Sequence, residues 1–271
     1  MNSTEKEQKV IADQLRRAQS GTPLLEARYI RAGLKQDFQK TVAKALYADI
    51  TPDPYGTSPL LKALIRLSMP RRNRPGLRST ITYNFDDLLE RHLVDADVPH
   101  RAIYRDGDFA SPDELGIFHV HGFLPRDAPE DFALADNLLI FSEERYHSLM
   151  LEPYSWSNLV QLAAFREETC LFVGLSMSDP NMRRLLEVAS KSNQSPRHYV
   201  ILRRLTPHDL DTTEDNLVRT PVVQAFVSAH HRLQETSLKE LGLNVLWVDD
   251  HAEIPPLIDT LSQRAGLRPQ I

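Results

Sequence analysis

The chain contains a single cysteine in 271 residues. A lone thiol closes no internal disulfide and builds no multi-cysteine zinc module. Cys170 opens the apolar run Cys170-Leu-Phe-Val173 and reads as a buried core thiol. Glycine is sparse as well: there are ten, and no Gly-x-Gly occurs anywhere. Positive charge is not in excess. The net charge of -5 removes any whole-chain argument for nucleic-acid binding. No apolar run approaches the roughly 18 residues that a membrane span requires. The first residues, Met1-Asn-Ser-Thr-Glu-Lys-Glu7, have neither the basic region nor the apolar core of a signal peptide. A cytoplasmic protein is the simplest expectation. What remains is an ordinary globular composition, 41% hydrophobic and 25% charged, long enough for one large core or two modest ones.

The first third of the chain reads as helical. Lys6 to Ala18 places Val10, Ile11, Leu15 and Ala18 at helical spacing, and Thr22-Pro23 resembles a capped helix start. Gln36 to Tyr47 puts Phe38, Val42 and Leu46 on one face, and Ser58 to Leu67 is another helix. Thr51 to Gly56 is a loop, and the basic stretch Pro70 to Pro75 a turn. From Ser79 the pattern becomes strands alternating with helices. Strands are expected over Ser79–Tyr83, Arg101–Tyr104, Gly116–Val120, Asn137–Phe141, Thr169–Val173, His198–Leu202 and Val245–Val248. Helices are expected over Asp86–Val94, Ser142–Met150, Pro153–Arg166, from Asp179 onward, over most of Leu217–Leu241, and over Ile254–Arg264. This alternation argues for a Rossmann-like α/β domain with a mostly parallel sheet covered by helices on both faces, preceded by a helical region of about 70 residues. One domain over 1–271 is expected. The linker candidates, Arg71–Pro75 and Leu205–Asp215, read as surface loops.

Three stretches carry the chemistry: Thr80-Ile-Thr-Tyr-Asn-Phe-Asp-Asp-Leu-Leu-Glu90, Phe118-His-Val-His-Gly122 and Leu171-Phe-Val-Gly-Leu-Ser-Met-Ser-Asp-Pro-Asn181. Each is a short apolar run that stops at polar residues, as a buried parallel strand does at its carboxyl end, where open α/β sheets bind ligands. That places Asn84, Asp86, His121, Gly174 and Ser176 in one candidate crevice. Plainer readings stand beside this one. Asp86 or Asp87 caps the next helix. His119 and His121, two apart, share a strand face, and one or both serve the core or a metal, though no third ligand is evident. Ser178 or Asp179 caps the helix that Pro180 opens. Histidine is the side chain that supplies a base near neutral pH most readily. His121 is the candidate base, beside Gly122, which permits close approach of a ligand to the backbone. His119 is read as structural.

In order and spacing, these motifs resemble the sirtuin-like family over roughly Leu24 to Leu267. Thr82-Tyr-Asn-Phe-Asp86 looks like its Thr-Gln-Asn-Ile-Asp motif, His121-Gly122 like its catalytic His-Gly, and Gly174-Leu-Ser176 like its Gly-Thr-Ser. Within that class the chain looks most like the bacterial branch that consumes NAD in anti-phage defence. The resemblance implies an NAD hydrolase that releases nicotinamide and ADP-ribose. His121 would be the general base, and Asn84 would hold the water or the ribose. Asp86 would bind the carboxamide, and Thr82, Gly122, Gly174, Ser176 and Asp250 would border the rest of the dinucleotide. It also implies a homo-oligomer or a defence partner protein, with no direct contact to nucleic acid or membrane. Deacylation is disfavoured, because the four-cysteine zinc module and the acyl-lysine segment are missing. The family's opening strand and Gly-Ala-Gly-x-Ser loop are missing too. The expectation is therefore either a true N-terminus further upstream or a degenerate, catalytically silent module that binds NAD or ADP-ribose, with an unpaired neighbour left beside the central strand.

Overall fold

The computed structural model describes residues 23–48, 58–69, 76–127, 139–191, 195–210 and 220–265. The helix expected over Lys6–Ala18, the Thr22 cap, the Thr51–Gly56 loop and the Pro70–Pro75 turn lie outside the described residues. Three helices come first: α1 (Pro23–Leu34), α2 (Phe38–Leu46) and α3 (Pro59–Ser68), with the single 3-10 turn Lys35–Asp37 between the first two. Ser58 caps α3 by accepting from the Leu61 N–H at 3.3 Å, and Pro59 supplies the first helical residue without needing a donor.

The α/β part then runs β1 (Ser79–Thr82), α4 (Leu88–Asp95), β2 (His100–Ile103), β3 (Leu115–His119), α5 (Glu143–Leu151), α6 (Trp156–Glu167), β4 (Leu171–Phe172), α7 (Pro180–Ser190), β5 (His198–Arg203), α8 (Thr220–Glu240), β6 (Leu243–Val248) and α9 (Ile254–Ala265). Every expected strand but one is found, within a few residues of its expected bounds. The exception is Asn137–Phe141, whose described part, Leu139 to Phe141, is not strand. Leu139 and Phe141 are apolar because they pack on Phe38 and Phe85, and a single hydrogen bond, from the Ile140 N–H to the His121 carbonyl at 2.8 Å, ties the segment to the site. Helix α6 also starts later than expected. Pro153 stands in a turn closed by the Ser155 N–H on the Glu152 carbonyl, and the helix follows Ser155.

All strand pairs are parallel, as the alternation of strands and helices requires. They form two three-stranded sheets, in the orders β1-β3-β2 and β4-β5-β6, rather than one. Among the described residues β1 pairs only with β3, and β4 only with β5.

The second sheet is covered on two faces, and the alternation of side chains shows it residue by residue. Phe172, Val200, Leu202, Val245 and Trp247 face a core built with Phe165 of α6, Leu185 and Leu186 of α7 and Leu238 of α8. Their neighbours Leu171, Val173, Ile201, Leu246 and Val248 face the other way, onto Ala63 of α3 and Ile254 and Ile258 of α9. Helix α3 also reaches the first sheet, where Ile65 packs with Leu93, Leu115 and Ile117. One short helix therefore seals one face of both sheets. Among the described residues no helix is long and apolar enough to cross a membrane.

His198, at the start of β5, is 3% exposed and uses both ring nitrogens. Nε2–H donates to the Phe165 carbonyl at 3.0 Å, and Nδ1 accepts from the Cys170 N–H at 3.2 Å. That arrangement needs the neutral ring, and burial, with the neighbouring Arg197 charge, lowers its pKa. In the unfolded chain histidine titrates near ~6.5, so below that pH the unfolded state binds the extra proton and stability falls. We expect the urea midpoint to be flat above pH 7 and to decline toward pH 5, with a shallower decline in His198→Phe. An identical slope in the variant would remove His198 as the cause.

Candidate functional site

Strands β1 and β3 end level with each other, Thr82 opposite His119. Their parallel hydrogen bonding continues past the strands. The Val120 N–H donates to the Thr82 carbonyl at 3.2 Å and the Leu124 N–H to the Phe85 carbonyl at 2.7 Å. The loop carrying Asn84 and the loop carrying His121 thus run side by side. Thr82 turns the first of them, its Oγ1 accepting from the Asn84 N–H at 3.1 Å, and leaves Asn84 exposed. Gly122 turns the second. Its N–H donates to the His119 carbonyl at 3.1 Å, and its φ of 111° is one that a side chain would strain.

That turn separates the two histidines. Because the strand stops at His119, the shared strand face expected for His119 and His121 does not carry through. His119 is fully buried and engaged through both ring nitrogens, so it is a poor metal ligand. His121 instead packs edge-on against Tyr83, ring centroids 4.8 Å apart, and its Nε2 is buried with no hydrogen-bond partner among the described residues. Burial pushes its pKa down to about 4, against a smaller opposing pull from the Asp179 carboxylate. Tyr83 is fixed in turn by its hydroxyl, which donates to Gln161 Oε1 of α6 at 2.5 Å.

His121 lines a cavity of about 350 Å³ together with Tyr146, Leu175, Ser176, Ser178 and Asp179. The end of β3 and the end of β4 therefore meet in one crevice, as the motifs implied for His121 and Ser176. The β4 side is an irregular loop. Gly174 has φ +72° and Met177, though not glycine, has φ +59°. Left-handed backbone costs an L-residue roughly 1–2 kcal/mol, and the Met177 side chain, 3% exposed in the core, holds it there. Ser176 and Ser178 share a hydrogen bond at 2.6 Å beside the start of α7. Asp179 caps that helix, one oxygen accepting from the Met182 N–H at 2.6 Å and the other from the Tyr146 hydroxyl at 3.0 Å. Each of its oxygens therefore holds a neighbouring element in place at the edge of the cavity.

The remaining candidates fall at the margins. Asp86 accepts from the Leu88 N–H at 3.1 Å and so fills the capping role, while burial raises its carboxyl pKa. Asp87 does not cap. It takes the Tyr47 hydroxyl at 3.0 Å, Arg91 Nε at 2.9 Å and the Arg126 N–H at 3.0 Å, which ties α2 to both loops. Asp250 stands just past β6, where its side chain and that of Glu253 cap the 3-10 turn His251–Glu253 reciprocally; it does not line the His121 cavity. Thr82, Asn84, Asp86, Gly122 and Gly174 do not line it either; Tyr83, next to Asn84 in the chain, packs on the His121 ring. A second cavity of about 360 Å³ lies by Arg101, Tyr104 and Phe109 and contains none of the motif residues.

Sequence reasoning missed Tyr83, Tyr146 and Gln161. Tyr83 lay inside a quoted motif. The other two are helix residues whose roles depend on contacts far along the chain. A Cβ placed on Gly174 would meet nothing within 4 Å. Gly174→Ala therefore isolates the backbone cost, and urea unfolding should show a loss of about 1 kcal/mol. A loss above about 3 kcal/mol would indicate a steric conflict that this geometry lacks.

The SIR2-like domain family matches residues 78–220, just over half of the chain, from the start of β1 to the start of α8. The chain is also 24% identical over 189 residues to the NAD(+) hydrolase ThsA of Enterococcus faecium, an alignment that covers 68% of this chain and 37% of that protein. The chain thus spans little more than a third of the length of that curated relative. With the motif order, the parallel sheets and the family match in agreement, the chain belongs to the SIR2-like domain family.

Proposed function

We propose that this chain hydrolyses NAD, with His121 as general base. The observation that carries the reading is the state of His121: a neutral imidazole whose Nε2 is sheltered from solvent and unpartnered, in a cavity that also holds Ser176 and the start of α7. The identity with an NAD(+) hydrolase supports the same substrate. In the reaction the bond between the ribose C1′ and the nicotinamide nitrogen breaks, and its electron pair leaves with neutral nicotinamide. Water adds to the oxocarbenium-like carbon and gives up a proton, which His121 accepts. Asn84 holds the water or a ribose hydroxyl, and Asp86 the carboxamide. Thr82, Gly122, Gly174, Ser176 and Asp250 are assigned to the rest of the dinucleotide. A pyridinium that departs as a neutral molecule needs no protein nucleophile, only positioning and desolvation. Following the motif resemblance, we place the activity in anti-phage defence in the cytoplasm, exerted by an oligomer or with a partner protein.

A second reading, a silent module that binds NAD or ADP-ribose, is favoured by one observation. The sequence has no Gly-x-Gly of the kind that wraps the dinucleotide phosphates in the family it resembles.

General-base catalysis contributes about 10²–10⁴-fold. Accordingly, His121→Ala and Asn84→Ala should each lower NAD turnover by at least about 100-fold while ADP-ribose binding, measured by calorimetry, is retained. Full turnover in either variant sinks the assignment. The base works unprotonated, so kcat/KM should rise with pH through about 4 and be level near neutrality. A half-point near the ordinary histidine value of ~6.5 would contradict the buried-base account.

A further inference from the structure

We propose that Glu90 and His119 are a buried positioning pair that holds the Asn84 peptide, and through it the Asn84 side chain, in its working orientation. The proposal rests on the reading of Asn84 as a catalytic group.

The geometry is a chain of three groups. His119 is 1% exposed. Its Nδ1 lies 3.1 Å from the Asn84 carbonyl oxygen, and its Nε2 lies 2.5 Å from Glu90 Oε1 on α4. A carbonyl oxygen can only accept, so Nδ1 carries a hydrogen and donates it. Glu90 then completes the ring on its other side, whether Nε2–H donates to a carboxylate or Nε2 accepts from a carboxyl O–H. In either case Glu90 fixes both the ring orientation and the hydrogen on Nδ1. The Asn84 N–H is held independently by Thr82 Oγ1 at 3.1 Å. Thr82 and His119 are register partners in the β1–β3 pair, so both main-chain groups of Asn84 are gripped from one rung of the sheet. The Asn84 side chain is thereby aimed without being used.

The pair is a poor device for stability alone. Glu90 Oε2 is buried with no hydrogen-bond partner among the described residues. Replacing a buried polar pair by apolar residues of similar size is often neutral or stabilising, whereas breaking it from one side is costly. This supplies the means of separating position from stability.

The test uses Glu90→Gln, Glu90→Leu and the double variant Glu90→Leu/His119→Leu. Turnover of NAD is split into kcat and KM, thermal melting is followed, and the Asn84 carbonyl ¹³C shift is read by NMR. Gln can donate to Nε2 and preserve the Nδ1–H tautomer, so Glu90→Gln should keep kcat within about 3-fold and leave the ¹³C shift in place. The double variant should keep its melting temperature, lose the hydrogen-bonded carbonyl shift and lose kcat by about 10- to 100-fold with KM little changed, the scale of an ångström-sized misplacement. Glu90→Leu should show the same loss of kcat and shift, and should melt lower. A double variant with unchanged kcat and an unmoved Asn84 carbonyl overturns the proposal. So does a Glu90→Gln protein as impaired as Glu90→Leu, because charge rather than orientation would then be at work. If the wild-type chain does not turn over NAD, the reading of the function fails on its own, and the carbonyl shift still decides whether the pair holds Asn84.

Discussion

The site depends on one constraint: β1 and β3 lie parallel and in register, and their hydrogen bonding runs on past the last strand residues. Val120 pairs with Thr82 and Leu124 with Phe85, so the two loops descend together. Parallel strands have their carboxyl ends on the same edge, and there backbone groups run out of ladder partners. In this chain those groups are taken up by neighbours that are themselves motif residues. Thr82 Oγ1 takes the Asn84 N–H, and the Gly122 N–H returns to His119. Had the register slipped by one residue, Tyr83 would not meet the His121 ring.

Around that frame most buried polar groups of the described residues are satisfied, and His121 Nε2 is among the few that are not. Asp179 gives both oxygens to Met182 and Tyr146, Asp87 is saturated by Tyr47, Arg91 and Arg126, and Asn158 bridges Asn181 to the Leu149 and Glu152 carbonyls. An unpartnered buried nitrogen costs free energy that these neighbours do not. It stands at the one place where the motifs expect a base. Two of the described residues with positive φ, Gly174 and Met177, fall in the loop that forms the opposite wall of the cavity.

Much of this was legible before the structure. Parallel strands buried on both faces read as continuous apolar runs, and the ends of those runs marked Asn84, His121 and Gly174 correctly as sheet-edge positions. Asp179-Pro180 announced its helix through cap chemistry alone. What could not be read depends on contacts between residues far apart. The apolar run through Phe141 passes for a strand, because packing on Phe38 and Phe85 demands the same residues as a strand would. His119 and His121 look equivalent until the turn at Gly122 sends one ring to Glu90, 29 positions away on a helix, and the other to the cavity. The split into two sheets is a matter of which edges find a partner, which no local pattern encodes. Asp250 lay at a sheet edge as expected, but local capping chemistry accounts for its hydrogen bonds.

The central claim is that this SIR2-like site cleaves NAD. The most direct measurement is product analysis after incubating the purified chain with NAD, quantifying nicotinamide and ADP-ribose. The account predicts that both appear in equal amounts and in proportion to the protein added. ADP-ribose that binds while no nicotinamide is released would contradict it and identify the chain as a silent nucleotide-binding module.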